Sequence, residues 1–184
     1  MAPVLIRTAV AEDLPALRRV FRRASLSNDG DRDLLLAHPD ALTLPAGNVI
    51  AGRTRLAMIS DGPVVGFATG IPHSDSMLEL EDLFVDPDHR RRGIARALVA
   101  DLAAVARHDG ITRIAVTANP HADSFYRAVG FVAVGHAHTE LGSGARMLLR
   151  YLASRRLAHV GAYTVRWSFG CETASRDRST VTRL

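Results

Sequence analysis

The chain has 184 residues, 47% apolar and 23% charged, which suits one globular domain with a sizeable core. All 23 basic residues are arginine, so a P-loop with its lysine and any Schiff-base mechanism are excluded. Residues 1–150 balance 17 arginines against 17 acids, so the net charge of +4 comes from residues 151–184 and the body is not built to bind a polyanion.

Residues 4–10 alternate weakly and predict a first strand. Asp13 then caps a helix to about Ala24, with Leu14, Leu17, Val20 and Phe21 at helical spacing. Residues 25–50 are polar and proline-interrupted around Leu34, Leu35 and Leu36, which predicts a short second helix followed by a mobile loop. Two strands, 55–60 and 64–71, flank the hairpin signal Asp61-Gly62. Residues 77–85 form the next strand, and residues 93–108 form a helix with Ile94, Leu98, Leu102 and Val105 in one stripe.

Gly110 ends that helix and residues 112–117 read as a buried strand. Asn119-Pro120 starts a short helix that Gly130 closes. Residues 131–135 and 145–152 are the last strands, joined by a glycine-rich loop. The order β-α-α-β-β-β-α-β-α-β-β predicts an α/β fold: a mixed, twisted sheet of about six or seven strands with helices on both faces. Residues 1–153 form that domain. Residues 154–184 are an atypical, Arg-rich extension with one further alternating stretch at 162–169.

The lone Cys171 permits no internal disulfide and points to a reducing compartment. The sequence has no apolar run long enough for a signal-peptide core or a membrane span, so the expected location is the cytoplasm.

The most informative stretch is 83–98, LFVDPDHRRRGIARAL. A strand ends at Asp86-Pro87, a turn carries Arg90, Arg91 and Arg92, and Gly93 opens a helix. The first-turn N–H groups of a helix have no internal partners and carry the positive end of its dipole. Gly93 removes the Cβ that would hold a phosphate off the backbone. The stretch therefore reads as a pyrophosphate site rather than a solvated basic turn. No G-x-G-x-x-G occurs, so a Rossmann site has no support.

These motifs, on these elements, resemble the GNAT superfamily of acetyl-CoA-dependent N-acetyltransferases over about residues 4–152. The most specific match is [Q/R]-x-x-G-x-[G/A], here Arg90-Arg91-Arg92-Gly93-Ile94-Ala95. The second is the family's N…FY…GF pattern, here Asn119, Phe125-Tyr126 and Gly130-Phe131. The resemblance implies acetyl-CoA as co-substrate, with the backbone of Leu83, Phe84 and Val85 pairing with its pantetheine arm. It also implies that the amides from Arg91 through Ile94 and Ala95 to Arg96 hold the diphosphate, with one arginine reaching the 3′-phosphate. Asn119 would bind CoA or simply cap its helix, and the two roles stand even.

Acetyl transfer to an amine needs a base for the ammonium, a donor for the oxyanion and an acid for the departing thiolate. The resemblance makes Tyr126 that acid, against the alternative of a core tyrosine with a satisfied hydroxyl. A backbone N–H near Leu83 or Phe84 would serve the oxyanion. Glu79, Glu81 and Asp82 lie on the strand before the amide triplet, and carboxylates inside a strand need partners or a polar cleft. Glu81 is the first choice of base and Glu79 the second, with a water relay. The alternative is that these acids face solvent or nearby arginines.

Cys171 sits in the extension, so direct attack in a ternary complex is preferred to an acyl-enzyme. No metal is called for. His136 and His138 share a strand face without a further ligand cluster, and His121 reads as a surface residue or a proton relay.

The family's acceptor pocket maps to residues 25–48 and 136–145, where Asp29, Asp31, Asp33, Asp40 and Glu140 would suit a cationic amine. The expected partner is an amine-bearing small molecule or peptide, with no membrane. Nucleic acid could engage only the extension, and a homodimer could form through edge strands or that extension. The rival to an enzyme is a non-catalytic acetyl-CoA-binding sensor.

Overall fold

The computed structural model describes residues 3–60, 62–139 and 142–150. The strand expected at 162–169, Cys171 and the whole extension lie outside the described residues.

Leu17, Val20, Phe21 and Ala24 recur at the three- and four-residue steps that align side chains along one helix face. Helix α1 (Leu14–Ser25) buries all four. Asp13 stands at its N-cap position but makes no side-chain cap bond to the helix. Its carboxylate instead accepts the Val10 N–H at 2.8 Å and a two-pronged bond from Arg7 at 2.7 and 2.8 Å. Asp13 thus ties β1 (Val4–Thr8), which carries Arg7, to the start of α1.

The expected second helix is α2 (Asp29–Ala37), and Asn28 Oδ1 accepts from the Gly30 N–H at its start. The loop expected after it is instead a 3-10 turn (Pro39–Leu42) and the one-turn helix α3 (Gly47–Ile50). Leu44 and Val49 explain the order, because both are buried in the core beneath α1.

Among the described residues seven strands form one sheet in the order β1-β2-β3-β4-β5-β7-β6, with β2 (Thr54–Ile59), β3 (Val64–Ser74), β4 (Met77–Val85), β5 (Arg113–Ala118), β6 (Val132–Thr139) and β7 (Gly142–Arg150). Every neighbouring pair is antiparallel except β4 with β5. Helix α4 (Ile94–His108) crosses from β4 to β5, and the short α5 (Asp123–Ala128) connects β5 to β6.

The glycine-rich loop expected between 135 and 145 is strand at its described residues, 136–139 and 142–144, with His136 opposite Ala145 and His138 opposite Ser143. Pairing between β6 and β7 holds these residues extended, and the β5 ladder joins β7 from Ala145 onward. Gly144 permits the close approach to β5, since a Cβ there would lie 2.8 Å from the Ala118 carbonyl oxygen. The short helix also starts later than expected: Asn119 Oδ1 accepts the Ala122 N–H at 2.9 Å and caps a turn, and α5 begins at Asp123.

Two cores sandwich the sheet. On one face Leu98 and Leu102 of α4 meet Ala57, Ala68, Leu78, Leu80 and Leu83. On the other, α1 covers Leu56, Phe67 and Phe84, and Phe21 meets Phe84 edge-on with ring centroids 4.8 Å apart. No helix among the described residues is long and apolar enough to cross a membrane.

Phe84 is the keystone of the α1 face, 1% exposed and in contact with two other rings. Phe84→Ala should cost about 3–5 kcal/mol through lost burial and a residual cavity. Chemical denaturation would show this as a lower midpoint at an unchanged slope.

Candidate active site

The sheet opens where β4 and β5 part. Their parallel pairing runs from Met77 opposite Arg113 to Glu79 opposite Ala115 and goes no further among the described residues. β5 continues to Ala118 held by β7, while β4 continues to Val85 held by β3. A bulge helps to drive the strands apart. Thr69 opposes Asp82 and Gly70 opposes Leu80, so the register shifts by one residue at Glu81. Such an extra residue bends and twists its strand.

The bulge also changes which residues share a face. Leu78 and Leu80 point into the α4 core and so does Leu83, three residues beyond Leu80. Glu79 therefore shares its face with Asp82 and Phe84, while Glu81 sits on the bulge itself. The simple strand parity that pairs Glu79 with Glu81 does not survive it. Past Glu79, the edge of β4 that carries Leu83, Phe84 and Val85 has no β5 ladder, which leaves main-chain groups for an extended ligand.

At the end of β4 the chain turns through Asp86. Its Oδ1 accepts the Asp88 N–H at 3.1 Å, and Arg23 Nε donates to its Oδ2 at 2.8 Å. Arg23 also reaches Asp88 at 2.7 Å, and Arg90 donates to Ser27 Oγ at 2.6 Å. The turn is thus tied to the C-terminal end of α1 and the residues that follow it. Arg91 and Gly93 both have positive φ, +59° and +78°.

Gly93 is the residue before α4, and Ala97 N–H is bonded to its carbonyl at 2.9 Å. The amides of Ile94, Ala95 and Arg96 are the first-turn donors ahead of that bond. A Cβ at Gly93 would meet nothing within 4 Å, so the space beside these amides is open. Arg90, Arg91, Arg92 and Arg96 are exposed around it. The charge, the donors and the room fit a diphosphate.

Tyr126 of α5 lies at the other end of the opening. It is fully buried between Phe125 and Phe131, yet its hydroxyl has no hydrogen-bond partner among the described residues. Burial raises its pKa, and the nearby charges of Glu79 and Asp82 raise it further, so it holds its proton at neutral pH. A protonated, buried and unengaged hydroxyl is suited to donate.

Glu79 is 4% exposed and engaged on both oxygens, at 2.5 and 2.6 Å, by the guanidinium of Arg146 on β7. Arg146 also donates to Thr117 Oγ1 at 3.2 Å. Glu81 is half-buried at the bulge and Asp82 is buried. The start of α2 reaches the β5–α5 connection, since a Cβ on Gly30 would lie 3.8 Å from His121 Nε2.

The structure therefore brings Tyr126, Glu79 and the β4 bulge together, and sets the Arg90–Arg96 turn at the far end of the same strand. Sequence reasoning missed Arg146 and the Arg23 tie. The signal was a carboxylate inside an apolar strand that had to be matched by a cation, but only the strand order shows that the cation comes from β7.

Residues 15–131 match the model of the acetyltransferase (GNAT) family, and the chain belongs to that family. It is 35% identical to human N-acetyltransferase 8 over 86 residues, 42% of this chain and 38% of that one. It is 30% identical over 114 residues to aminoglycoside N(6')-acetyltransferase type 1 of Salmonella typhimurium, 54% of this chain and 79% of that one. The chain spans 38%, 46% and 59% of the lengths of three of the relatives it matches. The fold is that of PaiA N-acetyltransferase from Thermoplasma acidophilum, solved in complex with coenzyme A: TM-score 0.64 and 18% identity over 81% of this chain and 99% of that one.

The tie between Asp86 and Arg23 makes an acid-sensitive joint. Burial pushes the Asp86 carboxyl up, but the bonds from Arg23 and the Asp88 N–H outweigh it and leave it below the ordinary 3.8. A group depressed in the folded state stabilises above its unfolded pKa and loses that contribution as pH falls through its folded value. Asp86→Asn should lower the thermal midpoint at pH 7, and the loss relative to wild type should shrink below pH 3.8. Thermal melts across an acid series would check both.

Proposed function

We propose that this chain moves the acetyl group of acetyl-CoA to a primary amine of a small molecule or peptide, by direct attack with both substrates bound. The observation that carries the reading is the buried hydroxyl of Tyr126, without a partner among the described residues, beside the opening between β4 and β5. Burying a hydroxyl without a partner is costly, and the cost is understandable where the group works on a ligand.

In this reading the amides of Ile94, Ala95 and Arg96 hold the diphosphate, with Arg90, Arg91 and Arg92 lending charge around it. The free edge of β4 at Leu83, Phe84 and Val85 pairs with the pantetheine amides. A main-chain N–H near Leu83 or Phe84 faces the carbonyl oxygen as negative charge develops there. The ammonium first loses a proton to a β4 carboxylate through water, with Glu81 at the bulge better placed than the doubly engaged Glu79. The amine nitrogen then bonds to the carbonyl carbon, the C–S bond breaks, and Tyr126 gives its proton to the sulfur. The proton released by nitrogen leaves by the carboxylate route, and Tyr126 is reprotonated from water. Asn119 keeps its capping role, because its oxygen is already taken by the Ala122 N–H.

The acceptor side is bounded by α2 and the β5–α5 connection, where Gly30 approaches His121. Leu34 and Leu36 are exposed on α2 and Ile50 on α3. Family relatives named for aminoglycoside and streptothricin acetylation agree with an amine acceptor.

Tyr126→Phe tests the reading. Amine-dependent CoA release should fall by about 10²–10⁴-fold, the range of a lost general acid. Acetyl-CoA affinity by calorimetry should hold, and thermal stability should hold or rise because the deleted hydroxyl has no partner to orphan. Tight binding with no CoA release from the wild type, over a broad screen of amines and peptides, would instead make the protein a sensor. A companion variant, Gly93→Val, puts a β-branched residue at φ +78°. It should weaken CoA binding about tenfold or more, given a penalty of about 1–2 kcal/mol for the left-handed conformation alone.

A further inference from the structure

We propose that Arg146 is a positioning residue for the transfer: it spans the fork where β4 and β5 part, and fixes the seat of Glu79 under the reacting end of the site. The inference rests on the acetyl-transfer reading above. The geometry is specific. Glu79 is the last β4 residue paired with β5, opposite Ala115, and Thr117 lies two residues further along β5 on the diverging side. Arg146, opposite Thr117 on β7, reaches back over β5 and holds both residues with one guanidinium. It joins three strands at the point where the main-chain ladder between β4 and β5 stops.

Two consequences follow for the reaction. The fork is the floor of the opening, so a rigid fork sets how deep the acetyl end of the donor can sit. Misplacement by about 1 Å costs on the order of 10²-fold in rate. The second consequence is electrostatic. Glu79 has a side chain 5% exposed, and its charge is one of two that act on the Tyr126 proton. Arg146 supplies an opposite charge within hydrogen-bond distance, so the acid faces a compensated pair rather than a bare anion. With both oxygens occupied, Glu79 anchors the site and leaves the base role to the bulge. Arg146 itself is 28% exposed, and its side-chain bonds among the described residues go to Glu79 and Thr117.

The chain contains its own control. On the opposite face of the sheet Arg55 makes the same two-pronged pairing with Asp101 of α4, at 2.6 and 3.1 Å. A merely structural role for Arg146 predicts that Arg146→Met and Arg55→Met behave alike. Positioning predicts that they diverge.

The experiment measures dissociation constants for acetyl-CoA and for CoA by calorimetry, and kcat and KM with an accepted amine, in wild type, Arg146→Met, Arg146→Lys and Arg55→Met. In Arg146→Met, CoA affinity should stay within about threefold while the preference between acetyl-CoA and CoA shifts by more than that. The kcat should fall about tenfold to a hundredfold with the acetyl-CoA KM much less changed, the signature of an interaction felt in the transition state. Arg146→Lys should recover part of the kcat because it keeps the charge.

Wild-type kcat and donor preference in Arg146→Met, or the same losses in Arg55→Met, would overturn the proposal. Should the wild type bind acetyl-CoA without releasing CoA to any amine, the transfer reading falls, and the donor preference of Arg146→Met still decides the positioning role.

Discussion

The architecture depends on the separation of two parallel strands. β4 and β5 share a short ladder and then follow different partners, β4 staying with β3 and β5 with β7. A parted sheet leaves main-chain donors and acceptors without ladder partners, which a folded protein tolerates only where something else engages them. The opening is kept from propagating by what surrounds it. The Glu81 bulge steers β4 away, the α4 and α1 cores clamp β4 from both faces, and Arg146 closes the apex. The Arg90–Arg96 turn and Tyr126 then lie at opposite ends of one slot because both are anchored to the strands that form it.

Guanidinium groups add four directional ties between elements of this fold. Arg7 with Asp13, Arg23 with Asp86, Arg55 with Asp101 and Arg146 with Glu79 each use two nitrogens on one carboxylate. A planar fork fixes direction as well as distance, which a single ammonium cannot do. Two of these ties matter to the site. Arg23 holds the turn against α1, and Arg146 holds the apex. The others fasten β1 to α1 and β2 to α4, at a distance from the opening.

Local signals exposed most of the fold. Helices α1 and α4 follow apolar steps of three and four, β4 was bounded by its composition, and Gly93 and Gly110 mark the two ends of α4 in the sequence and in their positive φ. Sequence was weakest where tertiary contacts override local character. Residues 136–139 and 142–144 belong to what looks like a glycine-rich loop, yet β6 and β7 hold them extended against each other. Residues 39–50 look mobile, yet Leu44 and Val49 anchor them. At the site, the turn and Tyr126 were legible because each sits in a compact motif. The pairing of Glu79 with Arg146 was not, because 67 residues separate them and only the strand order brings them together. The bulge at Glu81 also leaves no trace in composition, so simple alternation along β4 does not give the face relation of Glu79 and Glu81.

Reliance on arginine for these four ties has a chemical corollary. A guanidinium stays protonated throughout the physiological range and its nitrogens are poor nucleophiles. With no ε-amino group anywhere in its 184 residues, this chain offers a bound thioester no side-chain amine of its own to label. Its structural cations are of a kind that an activated acyl donor leaves untouched.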